Sequence, residues 1–245
     1  MTHTVAMMQP YWFPYLGYFQ LIAAADVFVL GDDLQYVKDG WINRNRILCN
    51  GEPWTFSLPL KKAAHGLAIN QRELAGDAEA AMGKLLRTLN LHYARAPYRE
   101  QVMALLEPLL LHPQANLARY LEHTLRGLCA YLHIETPILV ASALPVGAVA
   151  DKQHRVIRTL ECVGGRHYLN PIGGLGLYDR DYFEAAGMSL EFHRMNPLSY
   201  PQLREPFVPS LSIIDVLMFN PVERIRAWLP DFTRVPARAA TEHVA

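Results

Sequence analysis

The segment around Asp32 and Asp33 carries side chains that are well suited to chemistry. Both carboxylates follow an apolar segment, 27–31, with the composition of a buried strand. A carboxylate at a strand end can accept a proton, bind Mg²⁺ or hold a sugar hydroxyl. Because successive side chains of an extended segment point to opposite sides, we expect one of the two to face a site. Taken alone, the pair also fits a solvated turn with a helix-capping Asp.

A second group of candidates lies in the preceding turn, Tyr15-Leu-Gly-Tyr18. Class I adenylating enzymes and nucleotidyltransferases carry a His-x-Gly-His element at the corresponding point, where a helix N-terminus holds a triphosphate. Gly17 would permit close backbone approach, and Tyr15 and Tyr18 could stabilise a phosphate or an oxyanion. Tyrosine cannot carry an imidazolium charge, so ATP binding stays open. The structural alternative is a set of core or rim aromatics beside a tight turn.

A polar cluster surrounds Trp41. The guanidinium of Arg44 suits bidentate contact with a phosphate or carboxylate, and Trp41 could stack on a sugar or base. Lys38 and Arg44 could hold the diphosphate of a sugar nucleotide, and Lys61-Lys62 could add to that anion site. A solvated surface loop would carry similar charges, which is the alternative.

A third polar turn, Asn170-Pro-Ile-Gly-Gly174, follows a predicted strand. It can reach the same sheet edge as the N-terminal turn, and Gly173 and Gly174 would let backbone N–H groups face a ligand. A plain reverse turn is the structural alternative. Near the C-terminus, Ser212 and Asp215 have the spacing of a capping-box variant, and we favour that role over catalysis.

The elements that must position these residues begin with one βαβ unit. Segment 4–9 is apolar, the turn that follows contains Pro10, Pro14 and Gly17, and a short helix leads to the second apolar segment, 27–31. We expect the two strands to be parallel neighbours. Parallel α/β sheets bind ligands outside the carboxyl ends of their strands, which is where the polar residues lie.

The remainder of the chain predicts further hairpin, helix and strand segments. Asn50-Gly51 predicts a two-residue hairpin, and three helices are expected at about 77–94, 98–111 and 116–133, the first capped by Asp77. A strand at 136–141, a helix from Asp151 to Cys162 and a strand from His167 follow, and Met188–Phe192 is expected to be the last strand.

This order predicts one α/β domain over residues 1–236, with a Rossmann-like parallel sheet of the HUP type found in adenylating enzymes and nucleotidyltransferases. The helical block at about 77–133 is interpreted as an insertion or a lid. Residues 237–245 are expected to form a disordered tail.

Composition narrows the function classes. Lys plus Arg and Asp plus Glu both number 23, which argues against a broad basic face for duplex nucleic acid. Three widely spaced cysteines fit a reducing compartment, no signal peptide is evident, and apolar segment 19–30 is short and broken by Asp26. The ten histidines lack metal-binding spacing, so we expect no metal site and a cytoplasmic protein.

Longer motifs resemble the WbqC-like protein family over nearly the whole chain. They are Met8-Gln-Pro-Tyr-Trp-Phe-Pro-Tyr-Leu-Gly-Tyr-Phe-Gln20, Asp32-Asp-Leu-Gln-Tyr36, Gly40-Trp-Ile-Asn-Arg-Asn45, Tyr168-Leu-Asn-Pro-Ile-Gly-Gly174 and Ser212-Ile-Ile-Asp-Val-Leu-Met-Phe-Asn220. The resemblance implies a role in bacterial surface-polysaccharide biosynthesis, in which a glycyl or related acyl group is added to an amino sugar.

The resulting hypothesis is amide formation on a nucleotide-linked amino sugar. Its donor would be an acyl-adenylate made with ATP and Mg²⁺ or, less favoured by the neutral charge, an aminoacyl-tRNA. The expected catalytic residues are Asp33, Tyr15, Tyr18 and Lys38. The expected substrate-binding residues are Gln9, Tyr11, Gly17, Asp32, Gln35, Tyr36, Trp41, Asn43, Arg44, Asn170, Gly173 and Gly174. A non-catalytic protein that binds a sugar nucleotide or a partner enzyme is the alternative.

Overall fold

The computed structural model describes residues 3–238, and the ranges below refer to that part of the chain. The strands are β1 (Thr4–Met8), β2 (Val27–Leu30), β3 (Arg44–Cys49), β4 (Glu52–Ser57), β5 (Ile138–Val140), β6 (His167–Pro171), β7 (Ser189–Met195) and β8 (Phe232–Pro236). The helices are α1 (Leu16–Ala23), α2 (Ala78–His92), α3 (Arg99–Leu110), α4 (Leu117–Tyr131), α5 (Lys152–Val163), α6 (Arg180–Ala185), α7 (Ile213–Phe219) and α8 (Val222–Trp228).

The fold is mixed α/β, and its main sheet is mostly parallel, as in a Rossmann-like fold. Within residues 3–238 its strand order is β5-β2-β1-β6-β7-β8. The predicted parallel pairing of the first two strands is confirmed, with Val5 opposite Val27 and Met8 opposite Leu30. The chain runs outward from β1 through β2 to β5, and then places β6 on the other side of β1. The switch point between β1 and β6 is where such sheets bind ligands.

One strand differs from the expectation. Met188–Phe192 was predicted to hold the last strand, but β8 follows it and pairs antiparallel with β7, with Phe192 opposite Val235. The β8 strand is short, lies at the edge of the sheet and follows two consecutive helices, α7 and α8. The chain before β8 therefore does not show the alternation of one strand with one helix from which the parallel strands were predicted.

The turn between β1 and α1 is held by side chains from distant parts of the chain. The Asn45 amide donates to the carbonyls of Trp12 and Phe13 at 3.1 and 2.8 Å, and Ser212 Oγ donates to the Phe13 carbonyl at 2.8 Å. Phe13 has a φ of 47°, a conformation that non-glycine residues seldom adopt. These bonds stabilise that conformation and fix the direction in which the chain enters α1.

The helical block packs into the interior rather than lying over it. Leu85 of α2, Leu106 of α3 and Leu121 of α4 are buried in the same hydrophobic cluster as α1 and α7. The helical block is thus part of the core. The predicted capping role of Asp77 is not seen, since its side chain accepts no capping hydrogen bond within the described residues. Asn116 does cap α4, through its contact with the Arg119 N–H.

Other local predictions are confirmed. The Asn50-Gly51 turn joins β3 to β4, and both residues have positive φ, 58° and 87°. Asp151 caps α5 by accepting from the His154 N–H at 2.8 Å, and Gly164 ends that helix with φ 72°. Of the predicted tail, residues 239–245 lie outside the described part of the chain, and Ala237 is buried.

Ser212 and Asp215 act structurally, but Asp215 does not form the predicted capping box. Ser212 Oγ caps α7 at the Ile214 N–H, whereas the Asp215 carboxylate is fully buried and accepts bonds from Tyr93, Tyr200 and Gln202 at 2.7–2.9 Å. Burial raises the pKa of Asp215. This carboxylate ties α2 and α7 together.

None of the helices in the described range is long and apolar enough to cross a membrane.

Candidate functional site

A cleft of about 490 Å³ opens at the carboxyl ends of β1 and β6. It lies at the switch point of the sheet, so we call it the switch-point cleft. Its polar and aromatic lining residues are Gln9, Tyr11, Lys152, Arg155, Tyr168, Asn170, Gly173, Gly174 and Tyr178. Five of the residues proposed from the sequence, namely Gln9, Tyr11, Asn170, Gly173 and Gly174, therefore come together here.

The β6 side of the cleft is built around Asn170. This side chain is buried, its Oδ1 accepts from the Tyr168 hydroxyl at 2.9 Å, and its Nδ2 donates to the Pro171 carbonyl at 3.0 Å. A Cβ on Gly174 would lie 1.9 Å from Asn170 Nδ2, whereas a Cβ on Gly173 would meet no atom within 4 Å among the described residues. Gly174 is thus needed for Asn170 to keep its position, and Gly173 is open toward the cleft.

Asp32 and Asp33 point to different sides, as expected for successive residues. Asp33 accepts from Arg155 Nη2 with both oxygens at 2.5 Å, and Arg155 lines the switch-point cleft. Asp32 is buried and accepts from the Ser142 N–H and Oγ and from Asn70 Nδ2 at 2.7–3.0 Å. Asp32, predicted to bind substrate, is therefore occupied in linking β2 to the segment after β5.

Two predicted roles in the N-terminal turn need correction. Tyr18 was expected to act in catalysis, but it has no exposed surface and its hydroxyl donates to the Gln9 carbonyl at 2.8 Å. Burial raises the pKa of Tyr18 well above its usual value, so it remains a neutral hydrogen-bond donor. Gly17 was expected to admit a phosphate, but the Tyr15 ring covers it, 2.4 Å from where a Cβ would lie. Gly17 therefore makes room for Tyr15 rather than for a ligand.

Tyr15 and Trp41 line a smaller aromatic slot of about 190 Å³. Tyr11 lines both this slot and the switch-point cleft, so the two cavities are adjacent. The guanidinium carbons of Arg44 and Arg46 lie 5.7 and 5.3 Å from the Trp41 ring centre, within cation–π distance. Trp41 is 41% exposed, so a ring-bearing ligand could reach it from solvent.

The cationic residues proposed from the sequence lie in another cleft, of about 570 Å³. We call it the basic cleft, and its polar lining residues are Tyr36, Lys38, Asp39, Asn43, Arg44, Ser57, Lys61, Lys62, His65 and Arg72. The Tyr36 hydroxyl donates to Asn43 Oδ1 at 2.9 Å, and Arg44 forms an ion pair with Asp39 at 3.3 Å. Lys38 was predicted to be catalytic, but it lines this cleft and not the switch-point cleft.

A short hydrogen-bond chain connects the two clefts. Gln9 Nε2 donates to the Gln35 carbonyl at 3.4 Å, and Gln35 Nε2 donates to the His65 carbonyl at 3.3 Å. Gln35, predicted to bind substrate, thus lies between the clefts and supports their shared wall. The Gln9 contact uses the Gln35 backbone carbonyl and the His65 contact uses the Gln35 side chain, so a substitution at Gln35 removes only the second.

Lys152, Arg155, Tyr178 and Arg72 were missed by the sequence reasoning. Lys152 and Arg155 lie in the first turns of α5, directly after the capping residue Asp151. A helix that follows a parallel strand begins at the carboxyl edge of the sheet. Lys152 and Arg155 are three residues apart and so share one face of that helix, from which their position at this edge could have been predicted. Arg72 and Tyr178 lie in segments with no comparable pattern.

The described residues contain no cluster of three His, Cys, Asp or Glu side chains arranged to hold a metal ion. The groups able to hold an anionic cofactor are instead the lysines and arginines of the two clefts. Lys152 and Arg155 occupy the switch-point cleft, and Lys38, Lys62 and Arg72 occupy the basic cleft.

A mostly parallel α/β sheet with a polar cleft at its switch point is the arrangement in which α/β proteins bind ligands at the carboxyl edge. The chain belongs to the WbqC-like protein family, whose model matches residues 9–227. It is 29% identical over 234 residues to the uncharacterized protein Rv1507c of Mycobacterium tuberculosis (strain ATCC 25618 / H37Rv), covering 94% of this chain and 97% of that protein. No solved structure matches the chain significantly. The HUP-type assignment therefore stays a prediction.

Proposed function

We propose that this protein forms an amide by transferring an aminoacyl group, with glycyl as the first candidate, to an amino-sugar nucleotide bound in the switch-point cleft. The observation that carries the proposal is the Asp33–Arg155 pair at the edge of a cleft that also holds Lys152, Gln9 and Asn170. The cationic side chains can bind the diphosphate of the substrate, and the Gln9 and Asn170 amides can form hydrogen bonds with sugar hydroxyls. The surface-polysaccharide role implied by the sequence motifs supports the same substrate class.

The proposed reaction is an acyl transfer. The sugar amine attacks the carbonyl carbon of the donor, the new C–N bond forms, and the bond to the donor's leaving group breaks. Asp33 accepts the proton that the amine loses. Both Asp33 oxygens contact Arg155, so the substrate must take over part of that contact, for instance through its diphosphate. The proposal assigns stabilisation of the oxyanion to the backbone N–H groups of Gly173 and Gly174.

Activation of the donor belongs to the same proposal. An acyl-adenylate would require ATP with Mg²⁺, and its phosphates would bind near Lys152 because Tyr15 covers Gly17. An aminoacyl-tRNA donor would need no ATP. ATP–pyrophosphate exchange with glycine distinguishes the two: exchange supports adenylation, and amide product from a preformed aminoacyl donor without exchange supports simple acyl transfer.

The direct test is product formation, followed by mass spectrometry. UDP-linked amino sugars are incubated with glycine, ATP and Mg²⁺, or with glycyl-tRNA, and the expected product is heavier by one glycyl residue. Asp33→Asn should lower the rate about 100-fold, the low end of what a general base contributes. Asp181→Asn, an exposed carboxylate on α6, is the matched control and should retain the rate. Equal rates for both variants would refute the role of Asp33.

A non-catalytic binding protein is the second candidate, and one observation favours it. Both carboxylates after β2 already accept hydrogen bonds, Asp33 from Arg155 and Asp32 from Ser142 and Asn70. A sugar nucleotide that raises the unfolding temperature but is recovered unchanged with every donor would support this candidate. The same thermal-shift screen serves both hypotheses.

A further inference from the structure

We propose that the basic cleft is a separate binding site for the phosphate or diphosphate group of a small molecule, centred on Arg72. This site does not depend on the amide chemistry proposed for the switch-point cleft.

Arg72 is a buried cation with no counter-ion among the described residues. Its residue is only 9% exposed, and it forms no ion pair with any carboxylate in residues 3–238. Its Nη1 and Nη2 make long contacts, 3.5 and 3.4 Å, with the carbonyls of Ala64 and Lys61, and its buried Nε has no partner in the described structure. A buried charge that is not paired is costly, so an anion in the adjoining cleft would stabilise this group.

The surroundings of Arg72 are those of an anion site. Among the described residues, five Lys and Arg side chains line the cleft against one carboxylate, Asp39. Arg44 and Lys61 are partly neutralised by Asp39 and Glu73, at 3.3 and 2.7 Å, whereas Lys38 and Lys62 form no ion pair within the described range. Lys38, Lys62 and Arg72 therefore supply uncompensated positive charge.

The walls of the basic cleft are fixed before a ligand arrives. The Tyr36 ring lies under the Arg72 guanidinium, 4.6 Å from ring centre to Cζ, and its hydroxyl is held by Asn43. The Leu58 N–H donates to the Asn43 carbonyl at 2.7 Å, which extends the β3–β4 pairing by one residue, and the Lys61 N–H donates to the Glu73 carbonyl at 3.0 Å, which holds the loop carrying Lys61 and Lys62. A preformed site loses less conformational entropy on binding, which favours a small ligand.

Phosphate is the anion that this donor set fits well. A planar guanidinium with free N–H groups can bind two phosphate oxygens, and flexible lysines can contact the others as point charges. The concave shape and the limited volume favour a small phosphorylated molecule over a nucleic-acid backbone, and so does the zero net charge of the chain.

Isothermal titration calorimetry tests the proposal with inorganic phosphate and pyrophosphate, against chloride at equal ionic strength. We expect saturable binding in the basic cleft, tighter for pyrophosphate if the natural group is a diphosphate and equal for both if it is a monophosphate. Pyrophosphate bound at Lys152 and Arg155 of the switch-point cleft is distinguished because the basic-cleft variants below leave it unchanged. Single-stranded RNA of mixed sequence is titrated in parallel. RNA that binds with much higher affinity than pyrophosphate would overturn the small-molecule assignment.

Three variants locate the site. Arg72→Met keeps the stem of the side chain but removes the charge, and Lys62→Gln removes an exposed charge; each should weaken pyrophosphate binding about tenfold or more. Lys84→Gln removes one exposed charge from α2 and is the matched control with unchanged affinity. Lys62→Gln keeps the test valid if Arg72→Met does not fold.

Failure of this site differs from failure of the proposed function. Absence of saturable binding, or unchanged affinity in Arg72→Met and Lys62→Gln, would overturn the anion site whatever the outcome of the amide assay. Loss of pyrophosphate binding in these variants supports the site even where no amide product is formed.

Discussion

The switch-point cleft and the basic cleft contain similar residue types but differ in how their charges are compensated. In the switch-point cleft Arg155 is paired with Asp33 at 2.5 Å, and Lys152 is the other cation that lines it among the described residues. In the basic cleft Arg72 is buried and lacks an ion pair within residues 3–238. A paired cation can orient a ligand and help position a base, whereas an unpaired one provides binding energy for an anion. The two clefts are therefore suited to different parts of a reaction.

The largest expected effect is a loss of amide formation, the reaction proposed for the switch-point cleft, without a loss of anion binding in the basic cleft. Asp33→Asn removes the negative charge from the Arg155 pair and should lower amide formation about 100-fold, because the proposed proton acceptor is lost. The same variant should bind pyrophosphate in the basic cleft with wild-type affinity. Rate measurements and calorimetry on one preparation check both statements. A parallel loss of pyrophosphate binding would mean that the clefts are not independent.

The second prediction concerns a substitution that disturbs the β6 wall of the switch-point cleft. Gly174→Ala places a methyl group against the buried Asn170 amide, 1.9 Å away, and should destabilise the fold by about 2 kcal/mol through overpacking. Urea unfolding measures the free energy, and sugar-nucleotide binding should weaken with it. Gly173→Ala is the matched control, with a stability change of less than about 0.5 kcal/mol. Equal effects would show that Asn170 moves freely.

Comparison of the clefts also shows what the sequence could predict. The parallel pairing of β1 with β2, the Asn50-Gly51 hairpin and the capping by Asp151 follow from local patterns, and all are confirmed. Residue type alone could not show that Tyr18 is in the core, because the position of its hydroxyl depends on the β1–α1 turn. The pairing of Asp33 with Arg155 joins residues 122 positions apart, which no local pattern reveals.

The third prediction sets the pH range in which the clefts can be compared. His193 is buried between Gln20 and Phe232, and burial lowers its pKa from 6.5 to about 4. Gln20 Nε2 donates to the carbonyls of Trp228 and Asp231, so Gln20 Oε1 is the acceptor and His193 Nε2 carries the proton. The neutral ring is thus the form that the fold accepts.

The sign of the pH effect follows from this shift. The unfolded chain binds the extra proton below about pH 6.5 and the folded chain only near pH 4, so the stabilisation is complete above pH 6.5 and declines below it. Between pH 7.5 and 5 the free energy of unfolding should fall by about 2 kcal/mol more in the wild type than in His193→Gln. Urea unfolding of both proteins at the two pH values measures this difference. Parallel pH dependences would contradict the neutral assignment.

The smallest expected effect concerns salt. Raising the ionic strength from about 0.1 to 1 M shortens the Debye length from about 10 to 3 Å and screens exposed charges more than buried ones. Pyrophosphate binding to the basic cleft should weaken several-fold, because Lys38 and Lys62 are exposed. Binding of a UDP-linked amino sugar to the switch-point cleft should change less, since Asp33 neutralises Arg155 and Lys152 is the one other cation lining that cleft among the described residues. Calorimetry at both salt concentrations measures the two responses.

Within the basic cleft, the loss of pyrophosphate affinity caused by Lys62→Gln should become smaller at high salt, while the loss caused by Arg72→Met should persist, because the Arg72 charge is buried. Equal salt dependence of the two clefts, or of the two variants, would contradict the contrast between a compensated and an uncompensated site.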